Sequence, residues 1–321
     1  MLFDAVFDGD LETAPEVARR AEERGFDCLW VPESKHDPFL SLLRAAEGSQ
    51  KLGLGTAIAV ALARNPMSMA YPAWDIQRFS RGRLWLGLGS QVKAHITKRF
   101  SMPWDKPIEQ MRDYIAALRA IFHAFQSGEP LKYQGTHYRH TLMTPFFNPG
   151  PIAHPTIPIG VAAVGPKMSE LAGEAADFLS GHPFTNRAYV EKVTLPSLEA
   201  GLKKAGRERK AVQVVGNVFV ITGDEATQNL LERKVRESIA FYGSTPAYAE
   251  VLEVIGHGEL HRELHRLSRE GRWGEMAKLI PEDVVACCSV KAAPDKVQGE
   301  VRKLYGDLYD RVVLAPSGIE S

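Results

Sequence analysis

Short apolar runs alternate along the chain with longer segments in which apolar residues recur every three or four positions. This is the pattern of strand–helix units built around a parallel sheet. Leu2–Val6 is predicted as the first strand. The helix after it takes Thr13 as N-cap and Glu16 as capping-box partner, with Val17, Ala18 and Ala21 on its inner face and Gly25 at its end. Asp27–Val31 is predicted as the second strand, and a polar loop over Glu33–Leu40 feeds a helix to about Ser49. Leu54–Val60 reads as the third strand, Pro66–Phe79 as the third helix and Arg83–Leu88 as the fourth strand. A long helix from about Pro107 to Phe125 carries Ile108, Met111, Ile115, Leu118, Phe122 and Phe125 on one face.

Two stretches interrupt the alternation. Ser127–Thr156 holds Pro130, Pro145, Pro149, Pro151 and Pro155 and is predicted as an insertion with a short hairpin. The pattern then resumes with strands at Ile157–Ala163, Phe178–Ser180 and Val212–Ile221 and helices at Lys167–Ala176, Glu191–Ala205 and Glu225–Ile239. Residues 241–290 form a second irregular insertion, partly helical, before a helix at Lys296–Asp307 and an eighth strand at Arg311–Leu314. That strand lies seven residues from the end, so a full helix after it is missing or displaced. Eight such units predict one (β/α)8 TIM barrel over residues 1–321, with insertions at about 127–156 and 241–290. A doubly wound sheet would carry GxGxxG after its first strand, but that junction is Phe7-Asp8-Gly9-Asp10. Gly87-Leu88-Gly89 is followed by Val92 where the third glycine would stand.

Composition narrows the function classes. Lys and Arg number 39, as do Asp and Glu, so no net charge draws the chain to nucleic acid or an anionic membrane. No apolar window approaches the roughly 18 residues of a membrane span, and the N-terminal MLFDAVFDGD lacks the basic and apolar regions of a signal peptide. Cys28, Cys287 and Cys288 form no metal or redox spacing, which predicts no metal and a reducing, cytoplasmic setting.

A barrel of this kind builds its active site from the loops after the strands. The loop Ala163-Val164-Gly165-Pro166-Lys167 opens a helix with a proline at its first turn, so its free amides suit a phosphate; an ordinary strand–helix turn is the plainer reading. The loop 89–104 gathers Ser90, Gln91 and His95 with Lys93, Lys98 and Arg99, either to hold an anionic ring-bearing ligand or as a solvated surface. His36 follows the second strand, where an imidazole can move a proton near neutral pH. Asp37 and Pro38 beside it read as a helix cap and first turn.

These loops, in this order, resemble the luciferase-like monooxygenase superfamily. The resemblance is carried by Gly25-Phe26-Asp27, Leu54-Gly55-Thr56-Ala57-Ile58, Arg64-Asn65-Pro66, Ser80 to Gly89, Gly135 to Arg139, and Ala162 to Pro166. It is nearest to the branch that uses coenzyme F420, a deazaflavin. The resemblance implies a non-prolyl cis peptide at or near Ala57–Ile58, bracing one face of the ring. It implies cofactor phosphate at Ala163, Val164, Gly165, Pro166 and Lys167, and contacts to the ribityl chain and ring edge from Ser90, Gln91 and His95. It also implies a proton-transferring His36 and hydride transfer between a small organic substrate and F420. Alternatives are an FMN-dependent monooxygenase fed by a separate reductase, and an inactive barrel acting as cofactor carrier or structural subunit. A homodimer is the family's common assembly. Val92 stands where the sugar-phosphate dehydrogenase of this branch has an acidic residue, which argues against glucose 6-phosphate as substrate.

Overall fold

The structure is a computed structural model, and it describes residues 1–316. In chain order the elements begin β1 (Leu2–Val6), α1 (Ala14–Glu23), β2 (Cys28–Val31), α2 (Pro38–Gly48), β3 (Gly53–Thr56), β4 (Ala59–Val60), α3 (Pro66–Phe79), β5 (Leu84–Gly89) and α4 (Pro107–Ser127). A two-stranded hairpin, β6 (Tyr133–Gln134) and β7 (Arg139–His140), precedes β8 (Ile159–Ala162), α5 (Pro166–Ala175) and β9 (Phe178–Ser180). Then come α6 (Arg187–Tyr189), α7 (Leu195–Lys204), β10 (Gln213–Ile221) and α8 (Glu225–Gly243). The second insertion holds α9 (Ala249–Glu253), α10 (Gly258–Arg269), α11 (Trp273–Met276) and α12 (Glu282–Cys288). β11 (Ser289–Lys291), α13 (Val297–Tyr305) and β12 (Arg311–Ala315) complete the order. The missing or displaced helix after the eighth barrel strand is an expectation about residues 317–321, which lie outside the described residues.

β1, β2, β3, β5, β8, β9, β10 and β12 pair in parallel, and the ring closes through β12–β1 and β9–β10. This is a closed (β/α)8 barrel. β11 adds to the far end of β10, Phe219–Ile221 against Ser289–Lys291, outside the ring. Among the described residues no helix is long and apolar enough to cross a membrane.

Alternate residues of each strand point inward and fill the barrel with a few large rings. Trp30, Trp85 and Phe178 meet with centroids 5.5–6.4 Å apart. Their bulk is accommodated by glycines at the paired positions of neighbouring strands. A Cβ on Gly55 would lie 2.2 Å from the Trp30 ring, and one on Gly160 would lie 2.1 Å from Phe178. Deep among these rings Asp4 and Arg311 form a buried bidentate pair at 2.7 and 2.8 Å, and the Trp30 indole donates to Asp4 at 2.8 Å. The Arg311 guanidinium also lies over the Trp85 ring at 4.7 Å.

Three local readings of the sequence need correction. Thr13 does not cap α1. It sits in a 3-10 turn, Leu11–Thr13, and its hydroxyl donates back to the Asp10 carbonyl at 2.8 Å, while Glu16 is held by Arg19. The third strand is not continuous but breaks at Ala57–Ile58. The helix expected from Glu191 starts earlier, at Arg187, where the Asn186 side chain accepts from the Tyr189 amide at 2.9 Å.

Candidate active site at the barrel mouth

The mouth is open at the C-terminal ends of the strands. Inward-facing Asp4, Gly160, Phe178, Val215 and Val313 are buried, whereas Val6, Ala57, Ala162, Asn217 and Ala315, one step nearer the mouth, are partly exposed. Three of these five side chains, Ala57, Ala162 and Ala315, are small.

The sequence-predicted residues follow β2, β3, β5 and β8, four consecutive strands of the ring, so they occupy one arc of the mouth. On that arc the peptide Ala57–Ile58 is cis. Its flanks are tied to the loop after β2. The Ala57 amide donates to Val31 at 2.8 Å, and the Glu33 amide donates to the Ile58 carbonyl at 3.2 Å. The Glu33 carboxylate in turn accepts from the Val60 amide at 2.8 Å. Arg64 bridges Glu33 at 2.5 Å and Asp37 at 2.8 Å. Asp37 caps α2 through the Phe39 amide at 2.9 Å, with Pro38 in the first turn, as the sequence predicts. His36, between these carboxylates in sequence, is exposed and has no hydrogen-bond partner among the described residues.

After β5, Ser90 donates to the Gln91 carbonyl at 3.1 Å, and the Gln91 side chain accepts from the Val92 amide at 3.2 Å. Gln91 has φ of +59°, and His95 opens a π-type turn, His95–Arg99, with its side chain exposed. Arg99 reaches back to the Ser34 carbonyl at 2.9 Å, and the Ser34 hydroxyl donates to Asp8 at 2.6 Å, so three loops are linked.

After β8, Ala163 is buried, Val164 and Gly165 are partly exposed, and Pro166 and Lys167 are exposed. Gly165 caps α5 without a side-chain bond. The amides of Val164, Gly165, Lys167 and Met168 have no acceptor among the described residues. Space beside Gly165 is open, and Tyr189 fixes the turn by donating to the Val164 carbonyl at 2.9 Å. Unpaired amides at a helix start fit an anionic oxygen cluster such as a phosphate.

One residue of the opposite arc escapes sequence patterning. His182 continues the inward alternation of Phe178 and Ser180, and β9 stands across the ring from β2, which carries His36. Its Nδ1 accepts from the Phe184 amide at 3.0 Å, and its ring meets Tyr242 and Tyr248 edge-on at 4.3 and 4.9 Å. Burial against these rings pushes its pKa down to about 3, so the imidazole is neutral. Period-two counting past Ser180 is the signal that would have found it. Tyr242 lies in the last turn of α8 and Tyr248 at the start of the second insertion, and the apolar cluster they pack against also includes Phe184, Tyr189 and Ile221. That insertion therefore packs over the β9–β10 side of the mouth.

The luciferase-like monooxygenase family model matches residues 5–311. An uncharacterised protein of Mycobacterium tuberculosis is 46% identical over 311 residues, spanning 97% of this chain and 92% of that protein. The 5,10-methylenetetrahydromethanopterin reductase of Methanolobus tindarius is 31% identical over 294 residues, spanning 89% of this chain and 85% of the reductase. Among solved structures, the coenzyme F420 dependent tetrahydromethanopterin reductase from Methanopyrus kandleri superposes with a TM-score of 0.80 at 22% identity, covering 98% of this chain and 93% of that chain. An F420-dependent secondary alcohol dehydrogenase superposes with a TM-score of 0.72 at 16% identity, covering 98% of this chain and 92% of that chain. At those identities the two structures speak for the fold alone.

Proposed function

The chain belongs to the luciferase-like monooxygenase family, and from that premise we propose that it is an F420-dependent oxidoreductase acting on a small organic substrate. The observation that carries this reading is the cluster of unpaired amides at Val164, Gly165, Lys167 and Met168, on the same arc as the interrupted strand at Ala57–Ile58. One feature suits a phosphate tail and the other a flat ring.

In this reading Ala163, Val164, Gly165, Pro166 and Lys167 hold the cofactor phosphate. Ala57 and Ile58 lie under the ring, and Ser90, Gln91 and His95 flank its ribityl chain. Bound there, the deazaflavin supplies two-electron hydride chemistry. The protein supplies position, exclusion of water and a proton. His36, exposed at the mouth and unencumbered by hydrogen bonds, gives or takes the proton at the substrate atom whose protonation changes. The substrate enters beside Asn217 and His182, under the second insertion.

Fluorescence titration with F420 and with FMN tests the cofactor. Saturable binding of F420 with weak or absent FMN binding is expected; the reverse selects the monooxygenase reading and a partner reductase. A secondary alcohol with oxidised F420, and a methylene-bearing reduced pterin with reduced F420, are the first substrates to assay. Replacing His36 by Ala should lower turnover ~10²–10⁴-fold while F420 still binds. Unchanged turnover would remove His36 from the reaction.

A further inference from the structure

His36 makes no side-chain hydrogen bond among the described residues, so its place at the mouth is set by the backbone around it. That backbone is held at two points. Glu33 lies three residues before it and Asp37 one residue after, and both carboxylates converge on Arg64, at 2.5 and 2.8 Å. The Glu33 side chain is 7% exposed and that of Arg64 21%, so the pair is shielded from water and salt. Glu33 also reaches the interrupted strand from both sides. Its amide donates to the Ile58 carbonyl at 3.2 Å, and its carboxylate accepts from the Val60 amide at 2.8 Å. Arg64 itself comes directly after that strand, through the short 3-10 turn Ala61–Ala63. A guanidinium is a planar fork that can engage two carboxylates in fixed directions, which an ammonium cannot reproduce.

The geometry points to Arg64 as a positioning residue that registers the His36 loop against the Ala57–Ile58 segment, so that the proton-transferring group and the ring-bearing surface keep one relative placement. The inference rests on the cofactor reading above and deepens it. Arg64 touches neither substrate nor cofactor and acts through Glu33 and Asp37. A displacement of about 1 Å at such a distance from the reacting atoms can cost on the order of 10² in rate.

The test uses the full chain, wild type and the variants Arg64→Lys and Arg64→Ala, with F420 as the probe, or FMN if the titration above selects it. Three readouts are taken: cofactor affinity, the induced circular dichroism of the bound cofactor's visible band, and hydrogen exchange at the amides of Glu33 and Val60. In Arg64→Ala the affinity should stay within about threefold of wild type, because the phosphate and ribityl contacts remain. The induced band should fall by more than about half, and the two amides should exchange about tenfold faster or more. Arg64→Lys should lie between the two, and added guanidinium should restore the band in Arg64→Ala. An unchanged band and unchanged exchange in Arg64→Ala overturn the inference while leaving the cofactor reading intact. So does a loss that neither Lys nor guanidinium restores, since that marks general unfolding. If wild type itself binds neither cofactor, the functional reading fails and this inference with it.

Discussion

At His182 the protonation state is decided by packing. No carboxylate among the described residues is paired with the ring, and the amide of Phe184 occupies Nδ1, leaving Nε2 as the donor. The folded pKa, about 3, lies below the ordinary value of 6.5. As pH falls from 6.5, the unfolded chain therefore takes up a proton before the folded chain does. The stability this residue contributes is complete above about pH 6.5 and drains away toward pH 3, with a slope of at most ~1.4 kcal/mol per unit. His182→Phe keeps a ring between Tyr242 and Tyr248 but removes the proton site. Its urea-unfolding free energy should vary less with pH between about 7 and 5 than that of wild type, by one proton's slope; parallel curves would show that His182 does not titrate this way. In the bare sequence His182 is one histidine among ten, because its distinguishing neighbours arrive from a segment some sixty residues away. Asp37, by contrast, is legible, since capping is decided by residues two or three positions apart.

Elements obey the same division between local and distant causes. The helix Pro66–Phe79 and the strands Leu2–Val6 and Phe178–Ser180 match their predicted bounds, because caps and apolar period are local. The break in the third strand is invisible to apolar patterning: Leu54–Val60 holds only one polar side chain, Thr56, and its pattern is the same whichever way the backbone turns at Ala57. The Thr13 capping box fails because a 3-10 turn before α1 has already used Thr13. Inside the barrel, glycines and rings are matched across strands, which no single-strand pattern reveals. Gly55→Ala would drive a methyl into Trp30 and should destabilise the protein by ~1–3 kcal/mol, measured by urea titration. Arg311→Met leaves Asp4 buried without its partner, 307 residues away in sequence, and should cost ~3–5 kcal/mol by the same titration. Replacing both members with apolar residues should recover much of that loss.

At the scale of the whole molecule, the described residues form two principal apolar cores. One joins the barrel to its surrounding helices; the other joins the second insertion to α8 and to the loop after β9, and includes Val251, Leu252, Leu264, Leu267 and Met276. Leu264→Ala should cost the second core ~2–5 kcal/mol. Hydrogen exchange should then quicken across α9–α12 and leave β1, β2 and β12 at their wild-type rates; uniform acceleration would mean the cores unfold as one. The candidate residues named from the sequence all sit on the β2–β8 arc, whereas the opposite arc is shaped by this second core, whose members are far apart in the chain. The pairing of β11 with β10 adds one more consequence. Ile221 and Lys291, where the polypeptide departs and comes back, are already held side by side as neighbouring strand residues. A splice made at those two points, exchanging the intervening stretch for a relative's, begins with its ends in register and should change which molecules are admitted without moving the loop that bears His36.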